Sequence, residues 1–151
     1  MGTAQHAYAR MLKEEVAPAL RGLGMKGSGK HYALPDVSEF RLISFQANKW
    51  STAEELTFTV NLSVIDRALA EQELGRGAKP TATGIYWFEH RHERLGLLLA
   101  DPQDRWWPVL SDAPTSTVAA DVVRAIADHG LPWLRAAIEP TPRGEGWAGS
   151  A

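Results

Sequence analysis

Aromatic, imidazole and guanidinium side chains are concentrated between positions 86 and 107 of this chain. Three of its six tryptophans and two of its five histidines fall in this stretch. Imidazoles titrate near neutral pH, and aromatic rings stack on planar groups and cations, so these residue types suit proton transfer or ligand binding. The residues concerned are Tyr86, Trp87, Phe88, His90, Arg91, His92, Arg94, Trp106 and Trp107.

Proton transfer by a histidine is one interpretation of this stretch. On a β-strand, His90, His92 and Arg94 would share one face, because successive side chains alternate. An imidazole beside a carboxylate can act as a general acid or base, and Glu89 or Glu93 could supply that carboxylate. The catalytic candidates are therefore His90, His92 and Glu93, although the sequence does not fix their geometry.

A metal site is a weaker interpretation of the same two imidazoles. Zinc requires three or four protein ligands, so His31, Asp104 or a glutamate would have to be brought in by the fold. Alternating charges on a hydrated edge strand, which discourage pairing with other chains, are the commoner cause of such a pattern. We predict no metal and no cofactor.

A binding surface is the interpretation that we favour for the cluster. Tryptophan and arginine are enriched among the residues that dominate binding energies. If Trp106 and Trp107 lie on a strand, one ring faces the core and the other faces outward. The predicted contact residues are Trp87, His90, His92, Arg94, Trp106 and Trp107.

A row of polar residues accompanies the clearest strand, Leu56 to Val64. Thr57, Thr59, Asn61 and Ser63 alternate there with apolar residues, so one face of this strand is core and the other is polar. The polar face is either solvated or the floor of a groove, which Gln46 and His31 on adjoining strands would complete. We favour the solvated face, and we include Asn61, Gln46 and His31 among the candidate binding residues.

Composition restricts the class of protein. The 151 residues are 44% hydrophobic and 23% charged, as in an ordinary globular domain. A net charge of −2 gives no general attraction to nucleic acid. The absence of cysteine excludes disulfides and thiolate metal sites. No apolar run approaches about 18 residues and no signal peptide is recognisable, so we predict a cytoplasmic protein with no membrane partner.

Helices are predicted at both ends of a single domain over residues 1–140. Thr3 can cap an N-terminal helix that Pro18 should kink or break and that ends at Gly22 and Gly24. Near the other end, Ser116 or Thr117 can cap a helix that Gly130 stops, and a last short helix from Leu131 to Ile138 contains Pro132 in its first turn. Residues 141–151 are predicted to be a flexible tail.

Strands are predicted between these helices. Phe40 to Gln46 should pair antiparallel with Leu56 to Val64, and further strands are expected at Lys30 to Leu34, Ile85 to Leu99 and Arg105 to Leu110. We expect the residues from Asp66 to about Pro80 to form an exposed excursion from the sheet. The predicted fold is α+β: an antiparallel sheet of about four to six strands, with the N-terminal helix and two C-terminal helices packed on one face and the other face at least partly open.

The order of several short motifs resembles the DUF4304 family, a bacterial domain of unknown function. The motifs are Leu23-Gly24, Ile43 to Gln46, Phe58 to Leu62, Arg94-Leu95-Gly96, Asp104 to Trp107, and Leu131 to Leu134. The resemblance implies an intracellular bacterial α+β domain and transfers no catalytic residue. The histidines at 90 and 92 and the excursion from Ala70 to Pro80 are not recognised as features of the family.

Two functions remain open from the sequence. The first is a non-catalytic module, of the immunity or accessory type, that binds an unknown protein or small molecule through the aromatic, histidine and arginine residues of the open sheet face. The second is a small cofactor-free enzyme with a tryptophan-lined pocket, in which a histidine acts as general acid or base.

Overall fold

A six-stranded antiparallel sheet is the centre of the molecule, whose computed structural model describes residues 2–136. The strand order is β1-β2-β3-β4-β5, and β6 pairs with β4. The predicted tail at 141–151 lies outside the described residues. The strands are β1 Lys26–Ser28, β2 His31–Leu34, β3 Glu39–Ala47, β4 Glu55–Asp66, β5 Arg91–Arg94 and β6 Trp107–Leu110.

Strand β4 connects the two halves of the sheet. One of its edges pairs with β3 along nine residues of each strand, and the other edge pairs with β5 and then with β6. Asn61 therefore lies between Ser44 on β3 and Arg94 on β5. The predicted α+β fold and the antiparallel pairing of its two clearest strands are confirmed.

The helices flank the sheet in sequence as predicted. Thr3 caps the first helix by accepting a hydrogen bond from the His6 N–H at 3.2 Å. Thr115 stands at the N-cap of α4 without a capping side chain, so the predicted caps Ser116 and Thr117 are wrong. The helices are α1 Ala4–Met11, α2 Ala17–Gly22, α3 Arg67–Leu74, α4 Ser116–Ala125 and α5 Leu131–Arg135.

Pro18 does not break the N-terminal helix, and the predicted helix end at Gly130 is wrong. A π-helical turn, Leu12–Val16, joins α1 to α2. The Ala17 N–H donates to the Leu12 carbonyl, and this one-residue shift in register lets the helix continue past a proline that has no N–H to donate. A second π-helical turn, Ile126–Gly130, joins α4 to α5 two residues before Pro132.

The main hydrophobic core lies between one face of the sheet and the terminal helices. Phe58, Val60 and Leu62 on β4 are fully buried there, with Leu20 from α2 and Ile126 from the second π-helical turn. Burying such side chains is the main driving force for folding. The periodicity of the sequence predicted this face correctly.

The polar face of β4 is buried, so the predicted solvated face is wrong. Asn61 is 2% exposed, and Thr59 and Ser63 are as deeply buried. Thr59 donates to the Arg105 carbonyl at 2.8 Å, and Ser63 donates to the Arg91 carbonyl at 3.1 Å. Strand alternation correctly separates polar from apolar residues, but it does not reveal that other segments cover the polar row.

Residues 75–90, which we call the crossing segment, form part of that cover. The predicted strand from Ile85 to Leu99 is wrong over its first six residues, because pairing with β4 begins only at Arg91. Leu95–Leu98 is a 3₁₀-helix. Tyr86 and Phe88 pack instead on a second, smaller core formed by Leu42, Ile65, Ala70 and Ala82. No helix among residues 2–136 is long and apolar enough to cross a membrane.

Candidate functional site

Four side chains from three strands form one hydrogen-bonded group on the polar face, which we call the Asn61 network. Arg94 Nε donates to Asn61 Oδ1 at 2.8 Å, and His92 Nε2 lies 3.2 Å from the same oxygen. Asn61 Nδ2 donates to Gln46 Oε1 at 2.9 Å. The structure thus brings together four of the residues predicted from the sequence.

The arginine fixes the direction of every hydrogen bond in this network. A guanidinium only donates, so the Asn61 atom that Arg94 contacts must be the oxygen. That oxygen requires His92 to carry its proton on Nε2. The Asn61 amide nitrogen then donates to Gln46, which makes the contacted Gln46 atom an oxygen as well. Among the described residues, the Gln46 amide nitrogen remains available as a donor.

His92 lies at the solvent-exposed side of the network. Partial burial lowers the pKa of its imidazole, and the neighbouring His90 and Arg94 lower that pKa further. A lowered pKa keeps the ring neutral at neutral pH. In the neutral ring, Nε2–H donates to Asn61 and Nδ1 is an acceptor.

Arg94 also connects the network to the loop before β6. Its Nη1 lies 2.8 Å from Asp104 Oδ1, and its guanidinium carbon lies 5.4 Å from the centre of the Trp106 ring. Trp106 donates through Nε1 to the second Asp104 oxygen at 3.3 Å. Arg94, Asp104 and Trp106 therefore hold one another in place beside the network.

His31 lies on the same face but contacts Ser44, not Asn61. His31 Nδ1 is 2.8 Å from Ser44 Oγ, which also accepts the Ala82 N–H at 3.1 Å. Burial lowers the pKa of His31 and the nearby Lys30 charge lowers it further, so this ring too is neutral. Ser44 is fully buried and its hydroxyl hydrogen needs an acceptor, so it donates to Nδ1 and Nε2 carries the ring proton.

A cavity of about 370 Å³ opens between β2, β3 and the crossing segment. Among the described residues, no aspartate or glutamate lines it. Its lining residues are Lys30, His31, Phe45, Gln46, Ala47 and Thr83.

Three of the predicted contact residues lie elsewhere. Trp107 is 1% exposed in the main core, where it stacks on Phe58 and donates to Asp121 Oδ2 at 2.8 Å. Trp87 is 71% exposed on the crossing segment and donates to Glu73 at 2.7 Å. His90 precedes β5 and packs edge-on against Tyr86 and Phe88. Trp106 precedes β6 and is half-buried, so the alternation predicted for the pair on one strand does not apply to it.

The candidate acid–base residues have other hydrogen-bond partners. His90 Nδ1 lies 3.0 Å from the Phe88 carbonyl, and Glu93 Oε1 accepts the Arg94 N–H at 2.9 Å. Within residues 2–136, no three histidine, aspartate or glutamate side chains are grouped as metal ligands would be. His92 and His31 contact the neutral groups of Asn61 and Ser44.

Sequence reasoning did not select Lys30, Ser44 or Thr83, which complete this face. The sequence could have indicated Ser44, because a hydroxyl between Ile43 and Phe45 in a strand of apolar residues requires a buried hydrogen-bond partner. No sequence pattern indicated Lys30 or Thr83 as site residues. They reach the cavity only through the β1–β2 turn and the path of the crossing segment.

Comparison with known proteins identifies a family. The family model described as "Domain of unknown function (DUF4304)" matches residues 16–136. No curated protein and no solved structure matches the chain.

Proposed function

The chain belongs to the DUF4304 family, whose activity is unknown, and we propose that it is a non-catalytic binding module that recognises its ligand through the polar sheet face. The observation that carries this proposal is the fixed direction of the Asn61 network. Binding sites gain affinity from groups held in place before the ligand arrives, because less conformational entropy is lost on binding. We assign the module to the immunity or accessory type of intracellular bacterial domain.

The partners of the histidines support binding over proton transfer. A general base needs a ring nitrogen within reach of the substrate and a pKa near the working pH. His92 uses Nε2 for Asn61, and its pKa is lowered. The tryptophans support the same choice, because Trp107 lies in the core and Trp106 stacks on Arg94, so these two rings do not line one pocket.

A panel of amino acids, organic acids and nucleotides tests this proposal. Ligands that bind only the folded state raise its melting temperature by mass action. We expect at least one compound to raise the melting temperature of the wild type and to shift the NMR signals of the Asn61 and Gln46 side-chain amides. His92→Ala should abolish both effects.

His6→Ala is the matched control for that experiment, because His6 is also exposed but lies on α1. It should respond to the compound as the wild type does. Equal responses from His6→Ala and His92→Ala would contradict the proposed face. Time-dependent conversion of a panel compound by the wild type, lost in His92→Ala, would favour the enzyme instead.

A further inference from the structure

We propose that the cavity beside Gln46 binds an oxyanion, a carboxylate or a phosphate group, of the ligand. The inference deepens the proposed function and rests on it, since it names the chemical group that the polar face recognises.

The Gln46 amide presents its nitrogen to a ligand because its oxygen is already used. Asn61 donates to Gln46 Oε1 at 2.9 Å, and the Arg94 contact prevents Asn61 from turning over. The two N–H bonds of the Gln46 amide can then meet only an acceptor. An isolated glutamine could turn either way, so the network makes this position selective for acceptors.

His31 presents a second donor to the same cavity. Its Nδ1 is held by Ser44, whose oxygen also accepts the Ala82 N–H. Ser44 is fully buried, so its hydroxyl hydrogen needs an acceptor, and among the described residues His31 Nδ1 is the side-chain acceptor in reach. With Nδ1 accepting, the proton of the neutral ring lies on Nε2. The bond from Ala82 also holds the crossing segment over the sheet, which brings Thr83 into the lining of the cavity.

Lys30 adds a positive charge to these neutral donors. The residues that line the cavity therefore carry an ammonium group, a ring N–H, an amide NH₂ and a hydroxyl, and among the described residues none of them is an aspartate or a glutamate. Hydrogen bonds in which one partner is charged are about twice as strong as neutral ones. A cationic ligand would meet repulsion and no acceptor other than the Thr83 hydroxyl and backbone carbonyls, whereas an oxyanion would meet donors.

Gln46→Glu is the sharpest test because it changes one atom of the side chain. The glutamate oxygen can still accept from Asn61, but the donating NH₂ is replaced by a negatively charged oxygen. Gln72→Glu is the matched control, since Gln72 is exposed on α3 and the charge change is identical. Thermal unfolding without any anion should show both variants folded.

The probes are inorganic phosphate and acetate, added separately at neutral pH with chloride keeping the ionic strength constant. We expect one or both to shift the Gln46 side-chain amide signals and the backbone signals of Lys30 and His31 in the wild type. Gln72→Glu should bind equally well, and Gln46→Glu should bind roughly tenfold more weakly or not at all. The stronger of the two probes identifies the group.

Two results would overturn the oxyanion site. One is the absence of shifts near Gln46 with both probes, and the other is equal binding by Gln46→Glu and Gln72→Glu. If either of these results is obtained while a panel compound still needs His92, the oxyanion assignment is wrong but the binding function stands. If no panel compound needs His92 but phosphate or acetate shifts Gln46, the oxyanion site stands without the wider binding face.

Discussion

At the scale of single residues, Asn61 decides what its neighbours can do. It is buried between β3 and β5, and each of its two amide atoms is occupied. Leaving such a buried group without hydrogen-bond partners costs about 1 to 3 kcal/mol of folding free energy. This penalty keeps the hydrogen bonds of the network formed. The orientation of Gln46 and the tautomer of His92 both follow from this one side chain.

Asn61→Asp should raise the pKa of His92. The wild-type imidazole has a pKa below the ordinary value of 6.5. A carboxylate at the position of the amide oxygen would stabilise the charged ring, and an opposite charge at this distance shifts a pKa by about one unit or more. NMR titration of the His92 ring protons measures the shift.

Asn48→Asp is the control for that titration, because it introduces the same charge in the loop between β3 and β4. It should leave the His92 titration unchanged. Finding the same His92 pKa in Asn61→Asp and in the wild type would mean that the Asn61 contact is not made in solution.

At the scale of elements, the connection between β5 and β6 depends on a glycine. Gly96 lies in the 3₁₀-helix after β5, and its carbonyl accepts the Gln103 N–H at 3.3 Å. A Cβ at this position would lie 2.4 Å from the Gln103 carbonyl oxygen and 2.6 Å from the Arg105 nitrogen. Only a glycine lets the two backbone segments approach this closely. This approach keeps Asp104 and Trp106 beside Arg94.

Gly96→Ala should destabilise the protein by about 2 kcal/mol or more, since the clash is with backbone atoms that cannot turn aside. Gly22→Ala is the matched control, because a Cβ there meets nothing within 4 Å. In that helical position the same change should be neutral or stabilise by up to about 1 kcal/mol. Urea unfolding of both variants measures the free energies. A stable Gly96→Ala variant would show that the close approach is not required.

At the scale of the whole molecule, β4 separates two environments. Its even-numbered residues from Leu56 to Val64 pack in the main core, and Thr59, Asn61 and Ser63 form the buried polar row. Arg41 on β3 connects the loop before β3 to α5, because it pairs with Asp36 and also donates to the Leu134 carbonyl. The rigid apolar core on one side thus supports the polar face on the other.

Leu62→Ala should cost about 2 to 5 kcal/mol of unfolding free energy, because the vacated space is enclosed by the main core. Leu97→Ala is the control, since Leu97 is 44% exposed and its removal leaves little enclosed space. Its cost should stay below about 1 kcal/mol. Denaturant unfolding compares the two variants, and equal losses would contradict the burial of Leu62 in the main core.

The sequence by itself determined the elements and the apolar face, because periodicity and end signals depend on neighbours along the chain. Thr3 at the first cap and the alternation from Leu56 to Val64 are examples. Those local rules did not predict the two π-helical turns, Leu12–Val16 and Ile126–Gly130. Through these turns the helices continue past Pro18 and Gly130.

Only the tertiary structure decided which polar residues meet. Asn61, Gln46, His92 and Arg94 were candidates from the sequence, but their contact depends on strand register. Trp107 left the candidate group because its ring faces the core. Lys30 and Thr83 joined it because the crossing segment folds back over the sheet. The alternation along a strand determines which face each residue lies on. The partner strands and the segments that cover that face depend on packing between distant parts of the chain.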